Sequence, residues 1–198
     1  LESETMSNET THAQPLDVHH HFLPPGYLGA LERAGVPTSS FPEWSIEGSL
    51  RAMDRLGVGR ALRSLSSPGT WLENADQARS LARECNRYAS EVIAQHPDRF
   101  GALAALPFPD VQGSIEEARH ALDGLGLEGV ILLSNVDGTY VGDPELEPLM
   151  AELDSHGALV LLHPNAVQAD DEHAALHGWI EYPDDVARAF GRLLCNDV

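Results

Sequence analysis

Residues 129–164 read GVILLSNVDGTYVGDPELEPLMAELDSHGALVLLHP, and the punctuation of this stretch decides the fold class. It opens on the apolar run Gly129–Leu133 and closes on Ala158–His163, each of strand length and rich in Val, Ile or Leu. Between them Asp143-Pro144 supplies an N-cap and a first-turn proline. Leu146, Leu149, Met150 and Leu153 follow at helical spacing, and Gly157 stops the helix. Strand, helix, strand in that order predicts a parallel pair joined by a right-handed crossover.

The same alternation runs back to Pro15. Strand-length runs at Leu16–Phe22, Ala61–Ser66 and Phe100–Leu106 are separated by amphipathic segments. Leu50, Met53 and Leu56, closed by Gly57, mark one helix. Ala78, Leu81, Ala82, Cys85, Ala89, Val92 and Ile93 keep the 3.6-residue period between Asn74 and His96. Ser114 with Glu117 reads as a capping box, followed by Ile115, Ala118, Ala121, Leu122 and Leu125 and ended by Gly126. A last segment, near Tyr182 to Leu194, predicts a sixth helix. The expected class is α/β with a parallel sheet.

The 198 residues carry 31 Asp and Glu against 12 basic side chains, a formal charge of −19. All twelve are Arg; the chain has no Lys. Such acidity disfavours nucleic acid and anionic membranes as partners and suits a solvated surface. No apolar run approaches the ~20 residues of a membrane helix. With two cysteines, Cys85 and Cys195, there is no disulfide framework. Both fall in helical patterns, and the expectation is buried, reduced thiols in a cytoplasmic protein. Residues 1–14 are polar, lack the apolar core of a signal peptide and are expected to be disordered, with Met6 a candidate start. The folded part is expected over residues 15–198.

Asp17-Val18-His19-His20-His21-Phe22 lies on the first predicted strand. Side chains alternate along a strand, so His19 and His21 share one face and His20 takes the other. The fifth strand is apolar until His163, which Pro164 follows. A histidine at the carboxyl end of a parallel strand stands where α/β folds build their sites. Three imidazoles suit Zn²⁺ or another first-row ion and leave positions open for water or substrate. His96, His120 and His156 fall on helices or at their ends. His173 and His177 fall in a loop segment, where ordinary surface histidines are the default.

In order along the chain, DVHHHFLPP, RAMDRLGV, LRSLSSPG, HPDRFGALAALPFPD, GVILLSNVDGTYVGDPELEPLMAEL and LVLLHP resemble the amidohydrolase-related metal-dependent family. The branch they resemble is that of aminocarboxymuconate-semialdehyde decarboxylase and its aromatic-acid decarboxylase relatives. The resemblance implies a (β/α)8 barrel of the TIM type, of which this chain holds the first five β/α units and one further helix. It implies one divalent metal, zinc foremost and manganese as alternative, held by His19, His21 and His163, with His20 turned to the helix layer. It implies an Arg contact to a substrate carboxylate near the start of the second helix, where the alignment falls on Arg51 or equally on Ser49; Asn135, Tyr140 and the Ser66-Ser67 turn stand at strand ends, as pocket lining or as turn residues. Family members that bridge two metals use a lysine, and this chain has none, so one ion is expected. The family's remaining His and Asp, from strands six and eight, are expected beyond Val198, since eight such units need roughly 300 residues.

The implied activity is non-oxidative decarboxylation of an unsaturated or aromatic carboxylic acid, with a small-molecule substrate and a possible homo-oligomer. Metal-dependent hydrolysis of a lactone, ester or amide is the alternative within the fold. A non-catalytic, metal-binding half-barrel is the alternative outside it.

Overall fold

The computed structural model describes residues 14–39, 41–165 and 177–196. Residues 1–13, on which most of the expected disordered segment falls, lie outside them, as does His173. Five parallel strands form one sheet: β1 (Leu16–His21), β2 (Arg60–Ser64), β3 (Phe100–Ala105), β4 (Gly129–Leu133) and, after a short hairpin, β7 (Leu159–His163). Their spatial order is β1-β2-β3-β4-β7, every pairing is parallel, and Leu133 stands beside His163 at the last register position of β4 and β7. The hairpin β5 (Asn135–Val136) and β6 (Thr139–Tyr140) is antiparallel and turns at Asp137-Gly138, both at positive φ.

The helices are α1 (Tyr27–Arg33), α2 (Ile46–Leu56), α3 (Ala75–Gln95), α4 (Val111–Arg119), α5 (Glu147–Ser155) and α6 (Tyr182–Asn196). Ser45 caps α2 by accepting from Gly48 N, and Asn74 caps α3 by accepting from Gln77 N. Gly57 and Gly157 end α2 and α5 in the left-handed conformation, φ 70° and 57°, where a side chain would be strained. The expected capping box of α4 is corrected: the helix starts earlier, and Asp110 caps it by accepting from Gly113 N at 3.1 Å. Ser114 and Glu117 lie inside the helix. Ser114 is buried, and Glu117 binds Arg83 and Asn86 of α3. Two elements carry no strong periodic signal: α1 has seven residues, and the hairpin strands have two each.

The sheet has two apolar faces. Outside, Met53 of α2 and Val92 of α3 pack on Ala61 and Phe100, and the larger core joins α3, α4 and α5 to β3 and β4. Inside, Leu62, Leu103, Ile131 and Leu161 make a smaller layer, one residue from each of β2, β3, β4 and β7. Arg63, on the outer face of β2, is fully buried between the rings of Phe22 and Phe100 and donates Nη2 to Ala89 O. Desolvation pulls its pKa down to about 10. Of the cysteines, Cys85 is buried and its thiol pKa is pushed well up by burial. Cys195 is exposed, against expectation, because it lies on the solvent side of α6.

β1 and β7 stand at opposite ends of the sheet order. In a flat sheet, strands four places apart would be about 19 Å from each other. The ring centroids of His19 and His163 are 5.1 Å apart. The sheet is therefore curled into a half-barrel whose two end strands aim side chains at a common axis. β1 and β7 each have one strand neighbour among the described residues, and Leu16, Val18 and Leu159 on them are half exposed.

Candidate metal centre

Alternation holds over His19–His21, after a register irregularity of β1 against β2 between Asp17 and His20. His20 turns outward, where Nε2 meets Ser49 Oγ of α2 at 3.0 Å and Nδ1 meets Asp17 Oδ2 at 3.0 Å. Asp17 also accepts from the His19 amide, at 3.0 Å. Burial pushes the Asp17 carboxyl up, but the bonds from His20 and the His19 amide outweigh it and hold the pKa below its ordinary value. These contacts tie the outer side of β1 to α2.

The ligating nitrogens of His19, His21 and His163 lie within 4.8 Å of one another. His19 Nε2 is 3.0 Å from His21 Nε2, which is 3.1 Å from His163 Nε2. Two nitrogens bound to one ion at about 2.0–2.1 Å are separated by about 3 Å, so the spacing fits a shared metal. The proton inventory points the same way. His21 Nδ1 faces Ser64 O at 3.3 Å, and His163 Nδ1 faces Pro164 O at 2.7 Å. A carbonyl only accepts, so each Nδ1 carries the proton and each Nε2 presents a lone pair. Lone pairs opposed at 3.1 Å repel unless a cation lies between them. Desolvation lowers the pKa of His21 and takes that of His163 down to about 4, so both are neutral and able to bind metal at pH 7. Backbone carbonyls on the far ring nitrogens are the usual device for orienting metal-binding histidines.

Asn135 and Tyr140 pair across the β5–β6 hairpin. With Pro68, Trp71, Leu72, Glu73 and Asn165 they line a cleft of about 670 Å³ at the carboxyl ends of the strands. Asn165, two residues after His163, donates Nδ2 to Asn135 O at 2.9 Å, so the cleft wall and the third histidine share one loop. Arg51 is not brought to the site. It is exposed on α2, the helix that binds His20, on the side of β1 away from the three imidazoles.

No local pattern singles out Asp185. It is 1 % exposed in α6, and Ser134 Oγ, Asn135 Nδ2 (2.9 and 3.0 Å) and Tyr140 Oη (3.1 Å) all donate to it. Asp184 and Asp185 read equally as first-turn acids of an amphipathic helix. Only the fold sets Asp184 outward and Asp185 against Ser134 and the β5–β6 hairpin.

A curled parallel sheet with three imidazoles converging on one axis defines a (β/α)-barrel type of fold, here a half-barrel, whose histidines could hold a metal ion. Residues 16–194 match the family model described as Amidohydrolase, and the chain belongs to that family. It is 36% identical to a decarboxylase of Aspergillus niger over 87% of this chain and 51% of that protein. With a 6-methylsalicylic acid decarboxylase of Aspergillus aculeatus it shares 34% identity, over 91% of this chain and 57% of that one. With 2-amino-3-carboxymuconate-6-semialdehyde decarboxylase of Dictyostelium discoideum it shares 38% over 48% of this chain and 26% of that one. The chain thus spans between about half and three-fifths of the length of the two longer-matching relatives.

Among solved structures, an amidohydrolase II superposes with a TM-score of 0.85 at 30% identity, covering 93% of this chain and 62% of that one. A dihydroxybenzoic acid decarboxylase of Polaromonas, holding manganese and 2-nitroresorcinol, superposes at 0.69 with 21% identity, covering 90% and 58%. At that identity the second likeness shows the barrel fold alone.

Proposed function

We propose that the protein containing this chain is a metal-dependent, non-oxidative decarboxylase of aromatic or unsaturated carboxylic acids. The observation that carries the reading is the convergence of three Nε2 atoms, at least two of them unprotonated, beside a cleft with an aromatic wall. The decarboxylase relatives supply the reaction class. His19, His21 and His163 would hold one divalent ion, Zn²⁺ by the preference of imidazole donors, with Mn²⁺ as the alternative. When bound, the metal supplies positive charge to the substrate's oxygens, a Lewis-acid role.

The chain's own residues orient and shelter. The carbonyls of Ser64 and Pro164 fix the two rings that face each other. Leu62, Leu103, Ile131 and Leu161 form an apolar layer on the inner face that keeps water from beneath the site. Trp71 and Leu72 offer a flat apolar wall to a ring, and Asn135 and Tyr140 offer polar contacts. In the reaction the bond between the ring carbon and the carboxylate breaks, carbon dioxide leaves, and a proton takes its place. By the family resemblance, an acid outside these five β/α units would supply that proton. A small-molecule acid is the proposed partner and the cytoplasm the proposed location. No helix among the described residues is long and apolar enough to cross a membrane.

The test is carbon dioxide release from 6-methylsalicylate by the Zn²⁺- or Mn²⁺-loaded protein, beside calorimetric binding of the same acid to the loaded chain. Metal-dependent release supports the proposal. Uptake of one ion with neither binding nor release would contradict it and favour a non-catalytic metal-binding module.

A further inference from the structure

His163 Nδ1 donates to Pro164 O at 2.7 Å, and that bond leaves Nε2 facing the imidazole of His21. What holds the carbonyl in place is the other end of its own peptide group. Pro164 C=O and Asn165 N–H belong to one planar trans unit, so oxygen and hydrogen point to opposite sides and turn together. The Asn165 N–H donates to Ser134 Oγ at 2.9 Å, with Asp185 Oδ2 further off at 3.4 Å.

Ser134 Oγ has a single proton to give. An amide N–H can only donate, so the serine oxygen receives it through a lone pair and sends its own proton to Asp185 Oδ2. A carboxylate only accepts, which leaves the serine hydroxyl one orientation. The bonds therefore run in one direction, from the His163 ring through the Pro164–Asn165 peptide and Ser134 to Asp185. Ser134 and Asp185 are both buried, and Asn135 Nδ2 and Tyr140 Oη hold the carboxylate from the hairpin side. Ser134 N also donates to His163 O at 2.7 Å, so both faces of the ligand's loop are tied to one residue.

We propose that Asp185 is a positioning residue for the metal centre, which acts through Ser134 and the Pro164–Asn165 peptide to set the aim of His163 Nε2. This rests on the reading of the three histidines as a metal site. It adds a contribution from α6, a helix that carries none of the three. With Pro164 O fixed against Nδ1, that nitrogen keeps the proton and Nε2 keeps its lone pair for the ion. A peptide free to rotate would release the ring and its tautomer together.

The experiment is Zn²⁺ titration of the chain in competition with a chelator, beside NMR of 15N-labelled histidine in the Zn²⁺-loaded chain. The His163 signals are assigned by their loss in His163→Ala. The native chain should take up one ion and show a His163 Nδ1 proton that exchanges slowly with water. Asp185→Ala should lower Zn²⁺ affinity by about tenfold, the low end for partners of metal-binding histidines, and make that proton exchange faster. Ser134→Ala interrupts the same run but leaves the hairpin's bonds to Asp185, and should do likewise. It takes the place of Asp185→Ala if that variant does not fold. Asp110→Ala, which removes the cap of α4, should change neither readout.

Unchanged affinity in folded Asp185→Ala, or in Ser134→Ala where it stands in, overturns the proposal and leaves the metal centre intact. Weaker binding with the His163 proton unmoved overturns it too, as does an equal loss in Asp110→Ala, because either marks a general weakening of the fold. If the native chain takes up no Zn²⁺, the metal reading itself fails and the role of Asp185 falls with it.

Discussion

His21 Nε2 and His163 Nε2 lie 3.1 Å apart although 142 residues separate them in the chain. The contact joins the first and last strands of the five-stranded sheet, and each ring is held from behind by a backbone carbonyl. Strand order, curl and ring orientation must all be right for two lone pairs to meet there, and a bound cation would make the meeting favourable.

Removing either ring should therefore act on metal rather than on fold. His21→Ala and His163→Ala are expected to weaken Zn²⁺ or Mn²⁺ binding by about two orders of magnitude or more, since even outer partners of such ligands are worth 10–100-fold. His20→Ala, on the outer face, should leave metal affinity within a few-fold. Calorimetric titration of the three variants checks this, with circular dichroism confirming that each remains folded.

Without metal, the same histidines should make stability fall in mild acid. Burial pulls His163 from 6.5 down to about 4 and lowers His21 as well. Between those values the unfolded chain binds more protons than the folded one, so unfolding free energy rises with pH from about 4 to about 6.5 and this contribution levels off above. Urea midpoints at pH 4.5 and 7 should differ less in His163→Gln than in the native chain. An unchanged difference would show that His163 is not held neutral.

The two candidate starts of α4 make opposite forecasts. Asp110→Ala should cost about 1 kcal/mol, because it removes the acceptor of the Gly113 amide. Ser114→Ala should be neutral or slightly stabilising, because its buried hydroxyl has no partner among the described residues and Ala is the better helix former. Had Ser114 been the cap, the costs would be reversed. Chemical denaturation of the two variants decides.

Leu132 on the outer face of β4 is buried in the large core under the helices. Leu132→Ala should cost about 2–5 kcal/mol through lost burial and the cavity left behind. Leu56→Ala, at an exposed position on α2, should cost well under 1 kcal/mol. Their urea midpoints give the comparison.

The strands and the three histidines could be read from sequence because each depends on a local rule. Two-residue alternation separates His19 and His21 from His20, and an apolar run ending in His163 puts that residue at the mouth of the sheet. Asp185 depends on no local rule: its partners are Ser134 just after β4, Asn135 and Tyr140 of the β5–β6 hairpin, and the loop after β7, and only the packed fold brings them together. The start of α4 is ambiguous locally because Ser114-x-x-Glu117 matches a capping pattern, while Asp110 caps the helix one turn earlier. Arg51 was placed near substrate by resemblance alone, and the helix that carries it turns it to solvent.

X-ray absorption at the metal edge of the Zn²⁺-loaded chain addresses the centre most directly. One ion per chain with three imidazole nitrogens at about 2.0–2.1 Å, one of them lost in His163→Ala, is the outcome expected. A spectrum with fewer than three imidazoles, or one that His163→Ala leaves unchanged, would contradict a metal centre built across β1 and β7.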